Sequence, residues 1–111
     1  MAESLLGAAA RADGDLLASV AANVARQTGE GIAWGQRAMA ARPDRLAVLA
    51  SCDAPAFVVR GDDDSLTTAE EADALAHALG VDVTVVEGAG HLVHVEEPGV
   101  IAHLIDGVVR A

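Results

Sequence analysis

Pro55-Ala-Phe-Val-Val-Arg-Gly61-Asp-Asp-Asp64, and further on Val81-Asp-Val-Thr-Val-Val86 running into Glu87-Gly-Ala-Gly-His91, decide how this chain folds. Ala56 to Val59 is a short apolar run between Pro55 and Arg60. That is the pattern of a strand covered on both faces, as in a parallel sheet. Thr68-Ala-Glu-Glu71 reads as a capping box, with Ala72, Leu75, Ala76 and Leu79 as the apolar stripe behind it and Gly80 placed for a C-terminal cap. Val81 to Val86 is a second strand. Pro98 opens a last helix with Ile101, Leu104, Ile105 and Val108 inward and His103, Asp106 and Arg110 outward. A strand, a crossover helix and a second strand imply two neighbouring parallel strands.

The first half of the chain reads as helix. Over residues 1 to 28, Leu17, Val20, Ala21 and Val24 form a stripe at helical spacing. A turn is expected at Gly29-Glu-Gly31, then a helix from about Ile32 to Ala41 with Trp34, Ala38 and Ala41 on one side. Pro43 suits a first helical position, so residues 43 to 51 read as a short third helix bearing Leu46, Leu49 and Ala50. The order is helices, then β-α-β-α, an α/β class, with no internal repeat, linker or low-complexity tract.

Composition narrows the function classes. The 111 residues suffice for one small domain, and the 52% apolar content is largely alanine, with Trp34 and Phe57 the only aromatics. Alanine favours helix but buries little surface, so a thin core and marginal stability are expected. The net charge of −10 repels phosphate backbones and anionic lipids and argues against nucleic-acid or membrane partners. Cys52 is the only cysteine, so no intrachain disulfide is available and a reducing, cytoplasmic setting is expected. The start lacks the basic-then-apolar order of a signal peptide, and no run approaches the roughly 18 to 20 apolar residues of a membrane span.

In a parallel sheet the loops that follow the strands emerge at one edge, where ligands bind. Asp62 to Asp64 follow the first strand and His91 follows the second. Neighbouring strands lie about 5 Å apart, so side chains from the two loops can meet. A carboxylate on one imidazole nitrogen fixes the tautomer and supports the imidazolium formed when the other nitrogen takes a proton.

These turns resemble the C-terminal part of an α/β-hydrolase. In that family the triad acid follows a strand in a G-x-x-D turn, matched here by Gly61 to Asp64, and the base sits in a G-x-G-H turn, matched by Gly88 to His91. Glu96, Glu97 and Pro98 match the acidic residue and proline that open the family's last helix. The resemblance covers residues 54 to 111 well. It extends more weakly over 1 to 53, which look like the end of a helical cap and the helix leading back into the sheet. It implies one partial α/β-hydrolase domain over residues 1 to 111. It assigns the acid to Asp64, with Asp63 as the alternative, and the base to His91. The implied activity is hydrolysis of a small-molecule ester, lactone or similar carbonyl substrate by a nucleophile–His–Asp triad, with no cofactor.

The family's G-x-S-x-G nucleophile has no counterpart in the chain. Ser4, Ser19, Ser51 and Ser65 stand in no such elbow, and no Asp or Cys occupies an equivalent glycine frame. The expectation is a truncated hydrolase or half of a split one, self-associating or pairing with a chain that supplies the missing sheet. The alternatives are a non-catalytic remnant or partner-dependent binding module, or an unrelated small α/β binding module in which residues 61 to 64 and 88 to 91 do not converge. Among the remaining residues, His91 and His94 are spaced three apart without a third ligand, so metal is not expected. His94 reads as a packing residue near the site, His77 and His103 as solvated, Cys52 as a small apolar residue at a helix end, and Trp34 as a core or cap anchor.

Overall fold

Residues 1–111 of the computed structural model run α1 (Ala2–Leu5), α2 (Ala8–Arg11), α3 (Gly14–Ala25), α4 (Gly29–Ala41), α5 (Leu46–Ala50), β1 (Val58–Gly61), α6 (Ala69–Leu79), β2 (Val83–Val86), α7 (Val93–Glu96) and α8 (Pro98–Val109). The chain is mixed α/β and mostly helical, and its sheet has two strands. β1 and β2 are parallel, with Val58 opposite Val83 and Gly61 opposite Val86.

The crossover helix forms where its capping residues place it. The Thr68 hydroxyl accepts from Glu71 N at 3.2 Å, and Gly80 turns left-handed at φ 70 to end α6. That cap sends Val81 N back to Ala76 O, so Val81 serves the helix end and β2 begins only at Val83. β1 is shifted likewise, pairing from Val58 instead of Ala56.

Each sheet face carries one helix. On one side α6 packs Ala72 and Ala76 against Val58, joined by Leu79, Val81 and Val83. On the other, Val86, Ala89 and Val93 pack with Val59 and with Val100 and Ile101 of α8. Cover is less complete than the continuous apolar pattern implied: Val85 is 50% exposed, and Leu75 and Ile105, both expected inward, are exposed. Each strand also keeps one unpaired edge.

The N-terminal third departs most from expectation. Residues 1 to 28 form three helices where periodicity implied one. The chain goes extended at Leu6 (φ −113, ψ 147) and Gly7 (φ −71, ψ 166), because their neighbours' backbone groups are taken by distant partners. Leu5 O accepts from His91 N and Leu92 N, and Gly7 N donates to Glu96. Asp13 then caps α3, accepting from Asp15 N and Leu16 N. Gly29 to Gly31, read as a turn, is the first turn of α4, started by the Thr28 hydroxyl accepting from Gly31 N at 2.9 Å. Pro43 precedes α5 by three residues, and Asp44 Oδ1 accepts from Leu46 N at its start.

Only 12 of 111 residues are buried, in small clusters, which is the thin core the alanine content implied. Leu6 is the most enclosed, packed with Ala10 and Val20. Trp34 anchors nothing: it is 68% exposed on α4. No helix is long and apolar enough to cross a membrane.

Candidate functional site

Three successive aspartates leave β1, and each does something different. Asp62 N continues the ladder to Val86 O, and its Oδ1 accepts from Gly88 N at 2.7 Å, fixing the turn after β2. Asp63 Oδ2 accepts from Ala8 N at 2.7 Å, holding the start of α2. Asp64 turns back on its own loop: Oδ1 accepts from Leu66 N at 2.8 Å and Thr67 N at 3.3 Å, and Oδ2 accepts from the Thr67 hydroxyl. Oδ2 of Asp64 also stands 3.1 Å from Nδ1 of His91, 27 positions later. The loops at residues 61 to 64 and 88 to 91 therefore converge, and the carboxylate opposite the imidazole is Asp64, not Asp63.

Glycines make that approach possible. A Cβ on Gly61 would fall on the carbonyl of Ala89, and one on Gly90 would fall on Gly7 N and Leu6. Gly88, at φ 78, provides the left-handed turn that reverses the chain before His91.

The Asp64 side chain is 7% exposed and that of His91 is 37% exposed. Burial by itself would raise the Asp64 pKa. The bonds from the Thr67 hydroxyl, Leu66 N, His91 and Thr67 N together outweigh it and hold the carboxyl below its ordinary value. An ionised carboxylate only accepts, so Nδ1 of His91 carries the proton between them, and in the neutral imidazole Nε2 is then the acceptor. Nε2 has no hydrogen-bond partner in the chain. The arrangement is an imidazole held at Nδ1 by a carboxylate, with Nε2 unpartnered.

The pair borders a cleft of ≈190 Å³, lined among others by Arg60, Glu71, Leu75 and Val93. That is below the roughly 300 Å³ at the small end of ligand sites. The cleft runs beside Val58, Val59 and Arg60 of β1. No hydroxyl or thiol bonds to His91. Ser4 donates to Met1 O, Ser51 donates to Val48 O, Ser65 donates to Ser4 O, Thr67 is committed to Asp64, and Cys52 is exposed and free. Cys52 does stand at a helix end, its N donating to Leu49 O just after α5, but its side chain is exposed. His94 is exposed and bonds neither site residue, and His77 and His103 are exposed as their polar helix faces implied.

Two residues of the site escaped sequence reasoning. Thr67 is visible in retrospect as the i+3 hydroxyl of an Asp-x-x-Thr turn. Glu96 was read only as part of the opening of the last helix. Its carboxylate instead bridges two backbone amides, Gly7 N to Oε1 and Gly90 N to Oε2, each at 2.9 Å. No local pattern announces a contact 89 positions away.

No protein-family model and no curated protein matches this chain.

Proposed function

We propose that Asp64 and His91 are the acid and base of an α/β-hydrolase-type triad, and that this chain is the C-terminal, acid-and-histidine portion of such a hydrolase. The observation that carries the reading is the 3.1 Å contact between Asp64 Oδ2 and His91 Nδ1, on loops after adjacent parallel strands, with Nε2 unpartnered. The nucleophile then comes from a strand–elbow–helix outside residues 1 to 111, on a segment or separate chain that pairs along the free edge of β1. The narrowness of the cleft agrees with a site shared in this way.

The chemistry follows from the geometry. His91 Nε2 takes the proton of the nucleophile's hydroxyl as its oxygen bonds to the carbonyl carbon of a small ester or lactone. The imidazolium returns that proton to the leaving alcohol as the C–O bond breaks. In the second half His91 takes a proton from water as the water oxygen bonds to the acyl carbon. The imidazolium returns that proton to the nucleophile's oxygen as its bond to the acyl carbon breaks and the acid leaves. Asp64 stays ionised throughout and orients His91. The reading requires no cofactor, and a surface at net charge −10 favours neither nucleic-acid nor membrane partners. A reducing cytoplasm suits the single free cysteine.

A second reading has its own support: nothing in the chain with a hydroxyl or thiol reaches His91, as expected of a non-catalytic remnant or a partner-dependent binding module. The coding DNA immediately upstream separates the two. If it encodes G-x-S-x-G, co-expression of that segment with this chain should give ester hydrolysis that falls by about 10²- to 10⁴-fold in H91A. An upstream region without such a motif favours the second reading, and reconstituted activity indifferent to His91 contradicts the hydrolase reading.

A further inference from the structure

Segment 4–8 threads between the acid loop and the histidine loop and is bonded to both. Toward the histidine loop, Leu5 O accepts from His91 N at 3.0 Å and from Leu92 N at 3.1 Å. Toward the acid loop, Ala8 N donates to Asp63 Oδ2 at 2.7 Å and Ser65 Oγ donates to Ser4 O at 3.2 Å. The contact is backbone on backbone: a Cβ on Gly7 would fall on Gly88 O and crowd Gly90 N. Gly7 and Gly90 are both buried, so their N–H groups need partners that water cannot supply. One side chain serves both. Glu96 gives Oε1 to Gly7 N and Oε2 to Gly90 N, each at 2.9 Å.

We infer that Glu96 is a positioning residue for His91, acting by locking segment 4–8 onto the residue that precedes the imidazole. Asp64 sets the tautomer and the ring direction, but it is anchored in its own loop by Leu66 and Thr67. His91 has no equivalent local anchor. Its backbone is placed by Leu5 on one side and by the Gly90 amide on the other, and Glu96 ties the two together. A carboxylate is the fitting group, since both oxygens accept and both partners are N–H donors. Glutamine keeps the shape but turns one end into a donor facing a donor, leaving one buried amide unpaired. The inference deepens the reading of Asp64 and His91 as a base and its orienting acid.

The test reads the imidazole itself and needs no turnover, so it can fail independently of the hydrolase reading. ¹⁵N NMR of His91 at about pH 8, where an ordinary imidazole is neutral, is compared among the wild type, E96Q, E97Q and D64A, the last as the reference for a released ring. Amide hydrogen exchange is followed alongside. E96Q should move the His91 nitrogen signals most of the way toward those of D64A and lose protection at Gly7, Gly90, His91 and Leu92. Ala72 and Ala76 of α6 should keep theirs, and E97Q should match the wild type. Wild-type His91 signals in E96Q would overturn the assignment. If E96Q unfolds, E96D carries the same comparison, because its shorter side chain cannot span both amides. Loss of α6 protection in both variants would show that Glu96 supports the fold as a whole, and would equally overturn it.

Discussion

Thr67 donates its hydroxyl to Oδ2 of Asp64, the same oxygen that faces Nδ1 of His91 at 3.1 Å. The acid is thus held by its own loop before it meets the histidine, and its ionised form is favoured by donors on both oxygens. Because its folded pKa lies below the ordinary 3.8, ionised Asp64 stabilises the fold fully above that value, and the contribution is lost as pH falls through the lower folded value. T67V removes one donor and should raise the Asp64 midpoint and bring on acid unfolding at higher pH. Carboxyl ¹³C titration checks this. A wild-type midpoint at or above 3.8, or no change in T67V, would contradict it.

Gly61 is pressed against the backbone of Ala89 and Gly90, so G61A has no flexible side chain to displace. The acid and histidine loops must separate or shift, at a cost of about 1–3 kcal/mol. Urea unfolding of G61A should show that loss. G99A, where a Cβ meets open space, should stay within about 0.5 kcal/mol of wild type. Equal midpoints for G61A and wild type would mean the loops do not pack as described.

The isolated chain should not hydrolyse esters beyond its background, because no hydroxyl or thiol hydrogen-bonds to His91. A nitrophenyl-ester assay with H91A as control decides this. Saturable, His91-dependent hydrolysis with a burst would place a nucleophile within these residues after all.

With 12 buried residues, two strands and an unpaired edge on each, the isolated chain should self-associate or, as a monomer, melt well below about 60 °C. Exposed Trp34, Val48, Val85 and Val109 add apolar surface. Sedimentation at several concentrations with thermal melting tests this. A cooperative, concentration-independent monomer transition above about 60 °C, high for a mesophile domain, would show a self-sufficient fold.

The β1–α6–β2–α8 half was legible because its signals are local: the Thr68 cap, the Gly80 stop, two apolar runs, Pro98 at a helix start. The pairing of Asp64 with His91 followed from strand order, since adjacent parallel strands place their following loops together. Over the first 28 residues the stripe of α3 was legible but the breaks before it were not, because what breaks the helix at Leu6 and Gly7 is hydrogen bonding to His91, Leu92 and Glu96 at the far end of the chain. Periodicity reports the face a helix would bury and is silent about backbone groups claimed elsewhere. Trp34 misled for a related reason: aromatic character marks a residue that can anchor a core, and here α4 brings it against none.

The most direct test of the central claim is the protonation state of the His91 ring. At about pH 8, where an ordinary imidazole is neutral, ¹⁵N NMR of the wild-type chain should show the proton on Nδ1 and a bare Nε2, and D64A should lose that preference. A proton resident on Nε2 in the wild type, or identical His91 spectra with and without the Asp64 carboxylate, would contradict the account of Asp64 as the group that orients His91 to act as a base.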